Sequence, residues 1–304
     1  MIRVQIPATT ANLGPGFDCL GMALELYNVV EMVQVSQGLS VEVTGEGADS
    51  ILKDSANLVY QAALQVFRRV GYEPTGLKIA LVNNIPVARG LGSSTAAIVG
   101  GIIAANVMTG GQLAQKDLIN MAAQFEGHPD NVAAAILGGV VISIKSDEEI
   151  NCVKIEPPEG LKCVVAVPDF DLGTKAAREV LPYQIPLQDA IFNLGRVAFL
   201  VTALQRGDFT MLNTAMEDRL HQPFRATLIP GLKKVLAAAK LAGAKGVTIS
   251  GAGPSVLALA DSNLELIAKV MGDTFRENGV RCRTMLLKPS PVGARALEMK
   301  TTTT

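Results

Sequence analysis

The residues 86–96, "PVARGLGSSTA", combine the residue types that hold a phosphate: small glycines at Gly90 and Gly92 and hydroxyls at Ser93, Ser94 and Thr95. The apolar run that follows reads as a helix, whose N-terminus would add about half a positive charge. The lysine that follows the second glycine in G-x-x-x-x-G-K-[ST] is absent. If this loop holds a nucleotide, backbone N–H groups and the helix end must do much of what that lysine does. By itself the segment fits two interpretations, a phosphate cradle or an ordinary glycine connection capped by serine.

Three further groups have the types for chemistry. Glu126, His128, Asp130 and Asn131 fall within six positions in "EGHPDNVAAAILGG". One carboxylate there could hold Mg²⁺ with a serine of the loop, and the other, or the amide, could orient an attacking hydroxyl. The same residues would also make a polar turn after a helix. In "PATTANLGPGFDCLGMAL", the turn formers Pro15 and Gly16 lie between Asn12 and Asp18 in an otherwise apolar segment. Polar side chains among buried neighbours must be hydrogen-bonded in the loop or kept for a ligand. "SGAGPS", residues 250–255, is a tight glycine turn between strands. It is not a dinucleotide fingerprint, because Val256 fills the third glycine position.

The elements that would position these groups follow from pattern. "IRVQIPA" alternates as a strand, and "VVEMVQVSQGLSVEVTGEG" reads as one or two strands with a turn. "NLVYQAALQVFRRVG" is a helix with a glycine C-cap, and "LKIALVNN" is the strand feeding the loop, with Ser93 and Ser94 available to cap the next helix. "QKDLINMAAQFEG" is a helix and "ILGGVVISIK" a strand. Pro157, Pro158, Glu159 and Gly160 form the best linker, dividing the chain into 1–156 and 157–304. After it come a strand at "LKCVVAVPDF", a helix from Asp189, a second helix at "GLKKVLAAAKLAGA", a strand–turn–strand through "SGAGPS", a helix, a last strand and a frayed "TTTT" tail. This order is α+β, without the strict alternation of a doubly wound sheet.

Bulk composition narrows the function classes. The chain has 304 residues, 49% apolar, with 27 basic against 28 acidic residues and no tryptophan. A balanced charge without basic runs and with few aromatics gives no footprint for nucleic acid. The four cysteines, Cys19, Cys152, Cys163 and Cys282, are scattered as reduced core thiols would be. No basic-then-apolar leader opens the sequence, and the apolar run 96–108 is short of the ~20 residues of a membrane span. A soluble, cytoplasmic protein is expected.

In combination, P-A-T-x-A-N-L-G-x-G-F-D, P-x-x-x-G-L-G-S-S and S-G-A-G-P-S, in that order, resemble the GHMP family of small-molecule kinases from Arg3 to about Leu287. The resemblance implies an N-terminal domain similar to ribosomal protein S5 domain 2 and a C-terminal ferredoxin-like α/β sandwich. It implies in-line transfer from ATP with Mg²⁺. Pro86, Val87, Ala88, Arg89, Gly90, Leu91, Gly92, Ser93, Ser94, Thr95 and Ala96 would then wrap the phosphates. Asn57 would lie by the nucleoside, and Ser94 and Glu126 would hold the metal. "TKAAREVLP" and "HQPFRATLIPG" resemble the branch acting on the amino-acid alcohol L-homoserine, on the route to threonine.

In that branch Arg178 and Arg225 would clamp the carboxylate and Asp18 would take the ammonium group. Asn12, His128 and Gly251 would line the rest. Asp130 corresponds to the aspartate base of mevalonate kinase and galactokinase, but the basic partner near the N-terminus is missing, with no lysine before Lys53. Asn131 is therefore expected to orient the hydroxyl, with Asp130 secondary and Glu126 the third catalytic residue. A homodimer fits the family. A GHMP kinase for another alcohol such as mevalonate, or a non-catalytic metabolite sensor, are the alternatives.

Overall fold

In the computed structural model, which describes residues 1–147 and 149–297, the opening alternation becomes β1 (Ile2–Ala11). It pairs antiparallel with the long β2 (Leu20–Gln34), and the register slips between Pro7 and Ala8, where the missing proline N–H breaks the ladder. β3 (Gly38–Gly45) follows directly, but it does not fold back on β2 as a hairpin. The chain first crosses over through α1 (Leu58–Val70), and β4 (Gly76–Asn83) then inserts between them, antiparallel to β2 and parallel to β3.

Three helices come next: α2 (Ser93–Met108), α3 (Gln115–Glu126) and α4 (Asp130–Leu137). α2 is apolar on every side because it is central: Ala96, Ile98, Val99, Ile102, Ala104 and Ala105 are all buried, and it packs on α1, α3, α4, β1 and β2. β5 (Val140–Ser146) pairs with the start of β2, and β6 (Glu149–Ile155) pairs with β5.

The second sheet begins at β7 (Lys162–Pro168). The helical segment after it holds α5 (Thr174–Glu179), α6 (Leu187–Arg206), α7 (Leu212–Ala215), α8 (Gln222–Arg225) and α9 (Leu232–Leu241). β8 (Gly246–Ile249), β9 (Val256–Ala260), α10 (Leu264–Glu277) and β10 (Cys282–Leu287) complete it. The strand order β10-β7-β9-β8, all antiparallel, is the ferredoxin-like arrangement.

"CVVAV" in β7 and "VLALA" in β9 are continuous apolar runs because both faces are covered. Val164, Ala166, Val256 and Ala258 pack under α9 and α10, while Cys163, Val165, Leu257 and Leu259 join the core of the first sheet. β6 ends at Ile155 and β7 starts at Lys162, on either side of the linker expected around 157–160. The short β11 (Arg295–Ala296) returns to pair with β1. The "TTTT" tail lies outside the described residues. All four cysteines are free, and burial raises each thiol, Cys19 and Cys282 to about 11.

α6, with 20 residues, is long and apolar enough by composition to cross a membrane. It buries Asn193, Leu200, Ala203 and Leu204 in the protein and leaves Leu187, Ile191 and Leu194 exposed.

Candidate active site

The loop between β4 and α2 is held at both ends. Asn28 Oδ1 accepts from the N–H groups of Asn84 and Ile85, which fixes the turn out of β4. Ala88, Gly90 and Gly92 all take left-handed backbone conformations. The Ala88 carbonyl accepts from Leu172 N at 3.2 Å, and the Gly90 carbonyl accepts from Ser250 Oγ at 2.6 Å. Arg89 forms ion pairs with Asp171 and Asp169. Close approach explains both glycines. A Cβ at Gly90 would lie 2.3 Å from the Ser250 carbonyl oxygen, and one at Gly92 would lie 2.0 Å from Thr9 Oγ1.

The expected serine cap of α2 is not there. The N-cap is Gly92, which has no side chain to offer, and Ser93 and Ser94 already belong to the helix. The first N–H groups of α2 are therefore left without a side-chain acceptor, and an anion is what they suit. The hydroxyls turn elsewhere: Ser94 Oγ lies 3.3 Å from Glu126 Oε2, and Thr95 Oγ1 donates to Glu126 Oε1 at 3.1 Å. Glu126 closes α3, and Gly127 ends that helix in a left-handed turn.

Asp130 and Asn131 are not in a loose turn after α3. They open α4, which starts immediately behind Pro129, and this fixes both side chains. Asp130 is buried, and its Oδ1 accepts from Asn131 N at 2.7 Å and pairs with His128 Nδ1 at 3.0 Å. Burial works against the charge on His128, but the hydrogen bond and charge of Asp130 outweigh it and raise the imidazole above its ordinary value. Thr9 Oγ1, from β1, donates to Asn131 Oδ1 at 2.7 Å. That bond fixes which end of the amide is oxygen; Asn131 Nδ2 lies 3.4 Å from Asp130 Oδ1 and has a second hydrogen to offer.

The segment 12–18 is a strained turn, with Asn12, Leu13 and Asp18 at positive φ. Asn12 stabilises it, donating to the Gly251 carbonyl and accepting from Asp18 N, each at 3.0 Å. Asp18 and Arg178 form a two-pronged ion pair, which raises the Arg178 guanidinium above its ordinary value. Arg225 is almost fully buried. Burial first, and then the charge of Arg178, lower it to about 10, which leaves it a cation at neutral pH. Phe17 lies under both guanidinium groups, at 5.4 Å from Arg178 and 5.2 Å from Arg225.

These groups share one cavity of about 420 Å³. It is lined by Asn12, Asp18, Asn57, Val87, Ala88, Arg89, Gly90, Gly92, Ser93, Ser94, Thr95, Ala96, Glu126, His128, Asp130, Asn131, Arg178, Arg225 and Gly251. Pro86 and Leu91 do not line it; Leu91 is a buried core residue and Pro86 borders a separate cleft with Arg281 and Arg283. Asn57 lies in the wall, but its side chain is used in caps and turns. It accepts from Val59 N and Tyr60 N at the start of α1 and donates to the Leu52 carbonyl. Val30, Ile51, Leu52 and Leu81 make that end of the cavity apolar.

Residues 57–139 match the family of GHMP kinases N terminal domain, and residues 200–277 match GHMP kinases C terminal. Those two matches and this cavity define a GHMP kinase, a class that uses ATP. The homoserine kinase of Moorella thermoacetica is 47% identical over 294 residues, covering 97% of this chain and 99% of that enzyme. The homoserine kinase of Carboxydothermus hydrogenoformans is 46% identical over 97% of this chain and 96% of its own. The crystal structure of homoserine kinase from Cytophaga hutchinsonii superposes with a TM-score of 0.87 at 32% identity, covering 97% of each chain. The chain belongs to the homoserine kinase family.

Proposed function

We propose that the chain transfers the γ-phosphoryl group of ATP to the side-chain hydroxyl of L-homoserine, forming O-phospho-L-homoserine for threonine biosynthesis. One observation carries this proposal. A single cavity has free helix N–H groups and clustered oxygen donors at one end and opposite charges, Asp18 against Arg178 and Arg225, at the other. Phosphate needs the first end, and an acceptor with both an ammonium and a carboxylate needs the second. Mevalonate has no ammonium to satisfy Asp18.

Mg²⁺ belongs to the same proposal, and Ser94, Thr95 and Glu126 suit it. Three hard oxygen side chains converge within 3.3 Å, and the carboxylate closes a helix whose last turn has no basic residue to balance it. When bound, the ion would neutralise charge on the phosphate oxygens. The first N–H groups of α2 would hold the same phosphates in place, with the helix N-terminus favouring their charge. Asn131, its carbonyl oxygen taken by Thr9, would donate to the acceptor hydroxyl and hold its oxygen in line. Asp130 holds Asn131 and His128 through Oδ1, and with no lysine before Lys53 it lacks the basic partner near the N-terminus, so positioning rather than a strong base would carry the attack. Asn12 and Gly251 would shape the acceptor pocket through their mutual hydrogen bond.

A cytoplasmic homodimer completes the picture, without nucleic acid or membrane. The exposed Leu187, Ile191 and Leu194 on α6 form the kind of apolar face that a second copy covers. The test of the reaction is product identification. With Mg-ATP and L-homoserine, ³¹P NMR should show a new phosphomonoester on the acceptor as ADP appears; ADP with only inorganic phosphate would contradict the proposal.

A further inference from the structure

Arg225 lies four residues after the only other histidine of the chain besides His128. α8 is short, with Pro223 in its first turn, and Arg225 N donates to the His221 carbonyl at 3.0 Å. This helical spacing stacks the two side chains on one face. His221 is completely buried. Its Nδ1 is 3.1 Å from Arg225 Nη1, its Nε2 is 2.8 Å from the Gly14 carbonyl oxygen, and Phe17 stacks on the ring at 5.2 Å.

The chemistry of the partners fixes the proton. A guanidinium nitrogen has only N–H bonds to offer, so Nδ1 must present its lone pair. A carbonyl oxygen can only accept, so Nε2 must carry the hydrogen. A second proton on Nδ1 would point at a buried cation. The other charged groups facing the ring are Asp218 and Asp18. Asp218 lies 3.6 Å from Nε2 and accepts from the N–H groups of Leu220, His221 and Gln222 and from Asn193 Nδ2. Burial, the largest influence, favours the neutral ring as well.

Arg225 is held at three N–H bonds. Nε donates to the Ala177 carbonyl at 3.1 Å, and Nη1 donates to the Gly251 carbonyl at 2.9 Å and to His221. Among the described residues, Nη2 has no partner. Two of the three anchors are backbone carbonyls and the third is the imidazole. We infer that His221, as the neutral Nε2–H tautomer, is a positioning residue that orients Arg225 through the Nδ1 lone pair and so aims Nη2 at the acceptor carboxylate. This inference rests on the proposal that Arg225 contacts that carboxylate.

Two variants separate the ring nitrogens. His221→Asn places an amide oxygen near the Nδ1 position and keeps the acceptor for Arg225. His221→Gln reaches toward Gly14 and leaves Nη1 without one. H221Q should raise KM for L-homoserine about tenfold, the effect of losing a hydrogen bond to a charged group, with KM for ATP within about twofold. H221N should keep most of the homoserine affinity. Equal rises in both variants, or no rise in H221Q, would overturn the inference. Arg225→Lys distinguishes the two levels. If R225K leaves KM for homoserine unchanged, the acceptor assignment of Arg225 fails. If R225K raises it and H221Q does not, only the role of His221 fails. The wild-type protein supplies a readout independent of variant folding: ¹⁵N spectra should show a pyridine-like Nδ1 and a pyrrole-like Nε2 at His221, and the opposite tautomer would overturn the inference.

Discussion

Arg178 and Asp18, 160 positions apart, meet across the acceptor end of the cavity, with Nη2 2.6 Å from Oδ1 and Nη1 3.0 Å from Oδ2. Both side chains are a little over a third exposed, so the pair is solvent-screened and adds little to stability. Its value is in what can replace it. A zwitterion offers each side chain a new partner of the correct sign, whereas a monoanion offers one to Arg178 alone and a neutral alcohol offers one to neither. Asp18→Asn should therefore raise KM for L-homoserine roughly ten- to a hundredfold, with KM for ATP and the melting temperature close to wild type. Steady-state kinetics with each substrate varied in turn checks this. A loss of ATP affinity of equal size would make Asp18 a structural residue of its turn.

Asn131→Ala should lower kcat by about a hundredfold or more, because it removes the group assigned to hold the hydroxyl in line. Asp130→Asn should cost less, since an amide oxygen can still accept from Asn131 N. The opposite order in single-turnover rates would make Asp130 the base. Thr9→Val, which frees the Asn131 amide without removing it, should fall between wild type and N131A.

Gly92→Ala tests the loop. Its Cβ would meet Thr9 Oγ1 at 2.0 Å from a backbone at φ 71°, so loop, strand or both must shift. The left-handed conformation alone costs on the order of 1–3 kcal/mol in a residue that is not glycine. ATP affinity should fall by at least about tenfold, with a lower melting temperature. Calorimetric titration with ATP checks this, and unchanged binding would remove the loop from the phosphate site.

The His128–Asp130 pair gives a signed pH effect. The folded protein raises the His128 value above the ordinary 6.5, so folding takes up the proton. The stabilisation from this pair is fully present below 6.5 and is lost as pH rises through the higher folded value. The melting-temperature difference between wild type and His128→Asn should be greatest on the acid side of neutrality and should shrink toward alkaline pH. A difference that grows with pH would show that the imidazole is held neutral.

Much of the candidate site was legible only in combination. The Gly-x-Gly-Ser-Ser loop and the polar Asn12 and Asp18 in an otherwise apolar segment each had an ordinary structural reading, and it was the three motifs in order, through the resemblance they carry, that singled them out together with Arg178 and Arg225. The buried double-faced runs in β7 and β9 and the SGAGPS hairpin were readable from local pattern. What local pattern missed depends on distant partners. Nothing around 38–45 says that β4 will come between β3 and β2. Ser93 and Ser94 look like caps until the left-handed Gly92 places them inside α2. Asp130 and Asn131 look like a turn because only three residues separate α3 from α4. Thr9 reads as an ordinary β-branched strand residue, and only the fold shows its hydroxyl on Asn131. His221 lay in a motif read for its arginine, though an i, i+4 histidine was a visible signal.

The most direct test compares acceptors under one condition, Mg-ATP with L-homoserine, N-acetyl-homoserine, mevalonate or no acceptor, and ADP release as the readout. L-homoserine should give rapid, saturable turnover. N-acetyl-homoserine and mevalonate should give no more than the no-acceptor rate, or a kcat/KM at least about a hundredfold below that of L-homoserine, since each leaves Asp18 without an ammonium. Turnover of N-acetyl-homoserine or mevalonate at the homoserine rate would contradict recognition of the zwitterion by Asp18, Arg178 and Arg225.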